Sequence, residues 1–293
     1  MRRNGPDSFY PRPSVFLLVR RAGNLFAVVV TGLFALLAVS FLVYLILYVA
    51  HQGVSFLNLD FFTKTPAPIG GKGGGVVSSL VGSLLVVGLA SLIGIPLGLL
   101  TGVYLAEFGR GGFAKSVRFL VDTLTGVPSI IFGLFIWIVV VVPAHSFSGV
   151  AGALALSIIM IPTVTRTTEE VLRLVPNELR DASTALGASP SRTILRVVLP
   201  SARSGIVTGI FLAIARVAGE TAPLLMTAFG TPFFNTNLAR PIDMLPLRVF
   251  TYTLSPYETQ IHQAYAGSFV LMLLVILASL AIRWATGGFR RRR

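Results

Sequence analysis

Arg216 and Glu220 are the residues whose types and spacing most clearly point to chemistry in this 293-residue chain. They stand four apart within an otherwise uncharged, largely apolar run, Ser204 to Phe229. On a continuous helix that spacing puts both side chains on one face. A charge at the centre of a bilayer costs about 2.5 to 3.5 kcal/mol on insertion scales, so it faces a cavity or a partner. One reading is a structural ion pair inside a bundle. The other has Arg216 lining the path of an anion, with Glu220 holding its side chain and moderating its charge. A guanidinium fork matches the paired oxygens of an oxyanion, and a partly neutralised one suits a path that must also release what it binds. Arg216 and Glu220 are therefore assigned to a substrate path.

The elements that position them are membrane spans. The chain is 54% hydrophobic and only 12% charged, with a mean hydropathy of +0.82. Charge-free stretches run from Ala22 to Ala50, Gly73 to Ala106, Thr123 to Thr165 and Thr259 to Ile282. A spanning helix needs about 20 apolar residues, so a soluble enzyme is excluded. The expected fold is all-α and integral to the membrane, with six transmembrane helices. They fall near Asn24–Ala50, Val76–Ala106, Phe119–Val142, Gly149–Thr165, Ser204–Phe229 and Gln263–Ala285, with a kink at Pro96. The first span is too long for a signal-peptide core, and no small-residue cleavage site comes after it.

The net charge of +13 reports topology before partners. Of the 24 lysines and arginines, 19 fall on the side of both termini and only 4 on the other, with Arg216 inside a span. Basic residues accumulate in cytoplasmic loops, which puts both termini in the cytoplasm and removes any need for nucleic acid. No cysteine is present, and His51, His145 and His262 are scattered near helix ends without metal-ligand spacing. No cofactor is expected. Asp122 is expected to pair with Arg118 at the end of the third span, and Glu107 to lie at an interface.

The segment from Thr165 to Arg203 is the largest cytoplasmic connection. Pro176 and Asn177 open a short helix over Glu178–Leu186, Gly187 ends it and Pro190 blocks its continuation. A second helix, Arg192–Leu199, is expected to start at a Ser191 cap and stop at Pro200. Small residues at Ala182, Ser183, Ala185 and Gly187 allow a partner to approach closely. The only glycine-rich loop, Gly70-Gly-Lys-Gly-Gly-Gly75, lacks the hydroxyl residue and spacing of a phosphate-cradling Walker loop and lies outside.

Asp181-Ala-Ser-Thr-Ala-Leu-Gly187, nine residues, then Val197-Val-Leu-Pro200 resembles the Glu-Ala-Ala loop of type I ABC importer permeases. Asp replaces Glu at 181, Ser replaces Ala at 183 and Val replaces Ile at 197, while the Gly and Leu-Pro stand in register. Arg216-Val-Ala-Gly-Glu-Thr-Ala-Pro-Leu-Leu225 and Asp122-Thr-Leu-Thr-Gly-Val-Pro-Ser-Ile-Ile-Phe-Gly-Leu134 are similar to the PstA permeases of bacterial phosphate importers. The resemblance implies a MetI-like importer core over residues 76–285, containing the coupling loop 165–203. An N-terminal tail (1–23) and helix (24–50) precede the core, and a basic tail (286–293) ends the chain. It further implies a non-catalytic permease in the bacterial cytoplasmic membrane, paired with a homologous PstC subunit. A cytoplasmic PstB-like ATPase dimer would dock through Asp181, Ala182 and Gly187, and an extracytoplasmic PstS-like protein would deliver phosphate. A sulfate or molybdate permease would share the coupling loop but lack the Gly-Glu-Thr-Ala-Pro run. An ATP-independent channel or secondary transporter would show repeated hydropathy, which is not seen. The long external segment, Thr231 to Ile261, fits either a plain connector or a contact with the binding protein.

Overall fold

The computed structural model describes residues 15–68, 71 and 73–285. The start of the expected N-terminal tail, Gly70 and Lys72 of the glycine loop, and the basic tail 286–293 lie outside these residues. In chain order the described residues form α1 (Val15–Gly53), a 3-10 turn, α2 (Leu59–Thr63), α3 (Val77–Val103), a π-turn (Tyr104–Phe108), α4 (Gly111–Gly126) and α5 (Ser129–Ile136). A second π-turn (Trp137–Val141) leads to α6 (Val142–Ala144), α7 (Gly149–Arg173), α8 (Asn177–Ala185) and α9 (Pro190–Thr193). A third π-turn (Ile194–Val198) joins α10 (Leu199–Ala218), which precedes α11 (Ala222–Leu225), α12 (Leu245–Thr253) and α13 (Glu258–Ala285). Among the described residues five helices are long and apolar enough to cross a membrane, or six if the bent pair α4–α5 counts as one.

The chain divides into two compact units, residues 1–51 and 52–293. Within the first, α1 is one uninterrupted apolar helix, and the Tyr44 and Tyr48 rings stack along one face.

The second unit is organised around α7, the most buried of its apolar spans. Gly94, Gly98 and Gly102 form a stripe on α3, and a Cβ at each would meet Met160, Val164 and Thr168 of α7 respectively, at 2.6 to 3.1 Å. Helices in lipid gain little from hydrophobicity against each other, so close backbone approach through small residues takes its place. The approach is near enough for the Thr165 hydroxyl to donate to the Gly98 carbonyl at 3.2 Å. α10 packs on α7 in the same way, with Gly205 against Val171 and Gly209 against Thr167. Val86, Phe132, Leu156, Met160, Val217 and Leu224 fill the core between these helices.

Two expected spans differ. The third is not a straight helix over Phe119–Val142, because α4 and α5 meet at 103°. Pro128 has no N–H to continue the helical ladder and pushes the preceding residue toward extended backbone; Val127 sits at φ −75°, ψ 132°. The fifth span is already helical from Pro190 and ends at Ala218 rather than Phe229. Pro200 does not stop it. The π-turn immediately before, closed by the Leu199 N–H on the Ile194 carbonyl, takes up the interruption that a proline imposes. α3 likewise remains one helix through Pro96.

Candidate functional site

Two helix breaks meet in the second unit. The first is the bend at Val127–Pro128. The second is the end of α10, where Gly219 and Glu220 leave the helix before the short α11. α11 packs on α5, and a Cβ on Gly133 would lie 2.5 Å from the Pro223 Cα and 2.8 Å from its carbonyl oxygen. The two motifs singled out in the sequence, some 90 residues apart, thus touch backbone to backbone.

Arg216 lies in the last turn of α10, where helix-end carbonyls favour a cation. Its carbonyl accepts the Gly219 N–H at 3.3 Å, and the Val217 carbonyl accepts the Glu220 N–H at 3.2 Å. The helix therefore stops between Arg216 and Glu220, and the expected shared helix face does not exist. Among the described residues, no ion pair within 4.0 Å joins Arg216 to Glu220. Arg216 is exposed on the surface of the chain and Glu220 is half-buried beside the break. The arrangement leaves the Arg216 guanidinium exposed beside the break at the end of α10.

The expected loop helix is present as α8. Gly187 comes just after it at φ +79°, a left-handed conformation that favours glycine. The Gly187 N–H donates to the Thr184 carbonyl and the Ala188 N–H to the Ser183 carbonyl, the paired bonds of a Schellman cap. Asp181, Ala182, Ala185 and Gly187 are exposed, and Leu186 is 90% exposed. Ser183 is turned inward, and its hydroxyl shares a 2.8 Å hydrogen bond with Thr193. The expected second helix begins at Pro190 after Ser189, not at a Ser191 cap.

The charges around α8 are paired differently from expectation. Arg118 does not meet Asp122. Its Nε donates to Glu169 Oε1 at 2.7 Å, while Asp122 pairs with Arg166 of α7. Glu169 also accepts from Arg173 at 2.6 Å. Glu107 is no simple interfacial charge, because Arg180 Nη2 donates to its Oε1 at 2.7 Å and Arg180 Nε to its Oε2 at 3.2 Å. That hydrogen bond raises the pKa of Arg180 above the ordinary value, against the opposing effect of partial burial.

A further cluster lies between α11 and α13. Asp243 and Arg248 are both buried, with Arg248 Nε donating to Asp243 Oδ2 at 2.9 Å. Ser79 of α3 donates to the same carboxylate oxygen, and Arg248 Nη2 donates to the Thr231 carbonyl at 2.8 Å. Burial raises the Asp243 pKa despite Arg248 and Ser79. The segment expected to lie outside is packed into the protein here, since Ile242 to Arg248 are buried without interruption. Sequence reading passed over this pair, although two charges within the apolar run Ile242-Asp-Met-Leu-Pro-Leu-Arg248 were a usable signal.

Residues 94–293 match the family described as the binding-protein-dependent transport system inner membrane component. The phosphate transport system permease protein PstA of Yersinia pestis is 41% identical over 265 residues, covering 90% of each chain. That of Haemophilus influenzae is 43% identical over 257 residues, covering 87% of this chain and 88% of the relative. Among solved structures, a chain of a bacterial alginate ABC transporter aligns with a TM-score of 0.65 at 12% identity, covering 94% of this chain and 98% of the other. A chain of the MetNI methionine ABC transporter in an inward-facing conformation aligns with a TM-score of 0.57 at 20% identity, covering 74% and 94%. At those identities the structures speak to the fold alone: an importer-type permease core.

Proposed function

We propose, from the premise that the chain belongs to the family of binding-protein-dependent transport system inner membrane components and within it to the PstA permeases, that it forms half of the translocation path of an ATP-driven inorganic phosphate importer. It is an integral membrane permease subunit. ATP hydrolysis belongs to separate cytoplasmic subunits of PstB type, docked on the exposed face of α8 through Asp181, Ala182 and Gly187. The second half of the path is a homologous permease of PstC type, and an extracytoplasmic binding protein of PstS type delivers the anion. Both termini face the cytoplasm, which keeps 19 of the 24 basic residues on that side.

The observation that carries the reading is the meeting of the two broken helices beside an exposed Arg216. Unwound backbone at membrane depth is tolerated where it lines a cavity or is covered by protein, and a charged side chain there calls for an aqueous path or a partner. In this reading Arg216 offers its donors to phosphate oxygens as the path opens. Glu220 stands on the other side of the break and limits how tightly the anion is held. Closure of the ATPase pair moves α8, and the transmembrane helices switch access from outside to inside.

The test is phosphate uptake into vesicles holding this chain with the companion permease, ATPase and binding protein. Uptake that needs ATP, with the complex intact, is the expected result. Uptake without ATP or partners would overturn the reading in favour of a channel or secondary carrier. ATP-driven uptake of sulfate or molybdate in place of phosphate would overturn the substrate.

A further inference from the structure

α8 is tied on one side and free on the other. Its exposed face carries Asp181, Ala182, Ala185 and Leu186. The opposite side sends Arg180 into the body of the protein, where its side chain is only 21% exposed. The chain itself links α8 to α7 through Leu174–Pro176 and to α10 through Leu186–Ser189 and α9. No covalent path of comparable length reaches α3, which ends at Val103, long before α8 begins at Asn177.

Arg180 supplies that missing link. Its fork grips both carboxylate oxygens of Glu107, which is 9% exposed, while the same guanidinium donates to the Val175 carbonyl at 2.6 Å and the Leu172 carbonyl at 3.0 Å. One side chain therefore holds the end of α7, the start of α8 and the end of α3 together. Glu107 reaches it from the π-turn Tyr104–Phe108. A π-turn inserts one residue, which rotates the chain beyond it by about 100° relative to a regular helix. The same turn is held from another direction. Arg118 Nη2 donates to the Leu105 carbonyl at 2.7 Å and the Gly109 carbonyl at 3.3 Å, while its Nε binds Glu169 of α7. Two arginines thus clasp one π-turn, with α4 and α7 behind one of them and α8 behind the other.

We infer that Arg180 and Glu107 form a strut that transmits displacement of α8 directly to α3, and so are positioning residues for coupled transport rather than contacts for the ATPase or the anion. The inference rests on the proposed docking of an ATPase on α8. A rigid bidentate ion pair suits the task. It resists both stretching and rotation, because two parallel hydrogen bonds fix distance and orientation together.

The experiment uses the assembled transporter in vesicles, comparing wild type with Glu107→Ala and Arg180→Ala. Three quantities are read: ATPase retained on the complex, ATP hydrolysis with and without phosphate-loaded binding protein, and phosphate uptake per assembled complex. Both variants should retain the ATPase and its basal hydrolysis, while uptake per complex falls about tenfold. Because the chain contains no cysteine, a Glu107→Cys/Arg180→Cys variant can be bridged selectively by a thiol crosslinker of about the ion pair's length. It should transport poorly when unbridged and recover uptake when bridged. Unchanged uptake per complex in Glu107→Ala, a loss that only tracks disassembly, or a bridge that fails to restore uptake would overturn the strut. Failure of the wild-type complex to import phosphate with ATP would instead overturn the import reading, and this inference with it.

Discussion

Two arginine–carboxylate pairs of almost the same spacing meet opposite fates in this molecule. Arg216 and Glu220 stand four apart on an apolar run, yet no ion pair joins them among the described residues. Asp243 and Arg248 stand five apart in a segment that reads as an outer connector, and they are buried and bonded at 2.9 Å. The difference lies in where helices begin and end. α10 stops at Ala218 and separates the first pair, whereas α12 starts at Leu245 and turns Arg248 back onto Asp243. The second pair is also joined from elsewhere, by Ser79 on the carboxylate and the Thr231 carbonyl on the guanidinium. A charge pair at the edge of the bundle is structural here. The charge beside the break is left exposed and outside any ion pair among the described residues.

Breaking the buried pair should have the largest effect. Asp243→Ala strands a buried guanidinium and should destabilise the subunit by about 3–5 kcal/mol, while Asp243→Leu/Arg248→Met should recover most of that loss. Thermal unfolding of the purified complex checks both. A double-mutant cycle on Arg216 and Glu220 should by contrast give a coupling near zero in stability; a coupling as large as that of Asp243 and Arg248 would erase the distinction.

Next comes function at the open charge. If Arg216 holds the anion as proposed, Arg216→Ala would remove charged hydrogen bonds each worth about 1.5–3 kcal/mol, and uptake should fall by about 10- to 100-fold with assembly and melting temperature unchanged. A loss of stability in place of uptake would return Arg216 to a packing role.

Gly133→Ala tests the meeting of the two breaks. The added methyl would lie against the Pro223 backbone, where no side chain can rotate away, and should cost about 1–3 kcal/mol. Uptake should fall with it.

The smallest effect is that of pH on the buried pair. A carboxyl whose folded pKa is raised binds its proton more tightly folded than unfolded. Its contribution is full below the ordinary aspartate value of about 4 and is lost as pH rises through the raised one. Wild type should therefore lose less stability on acidification toward about pH 4 than Asp243→Asn does. Equal losses would show that the carboxyl's proton affinity does not differ between folded and unfolded states.

Much of the molecule was legible because it depends on neighbours in sequence. Apolar run lengths placed six spans, which the described residues show as five helices long enough to cross and one bent pair, and Pro176, Gly187 and Pro190 bracketed α8 to within two residues. The motif around Pro128 and the one around Pro223 were both visible, and so was Arg216. Their effect on the backbone was not. Pro128 bends its span by 103°, whereas Pro200 and Pro96 are carried within helices. The residue type is the same in all three; the surrounding geometry differs, with a π-turn ahead of Pro200 and an extended Val127 before Pro128.

Charge pairing was the least legible layer. Asp122 chose Arg166 over Arg118, Glu107 found Arg180 and Asp243 found Arg248. Composition, periodicity and turn residues are local properties, so by itself the sequence determined an all-helical membrane protein with a short capped loop helix and a charge in an apolar run. Which carboxylate meets which guanidinium depends on where each helix stops and which others it packs against. Contacts between residues 44 to 164 apart, from Asp122 with Arg166 to Ser79 with Asp243, make that choice. Only the tertiary structure brings such distant residues within bonding reach.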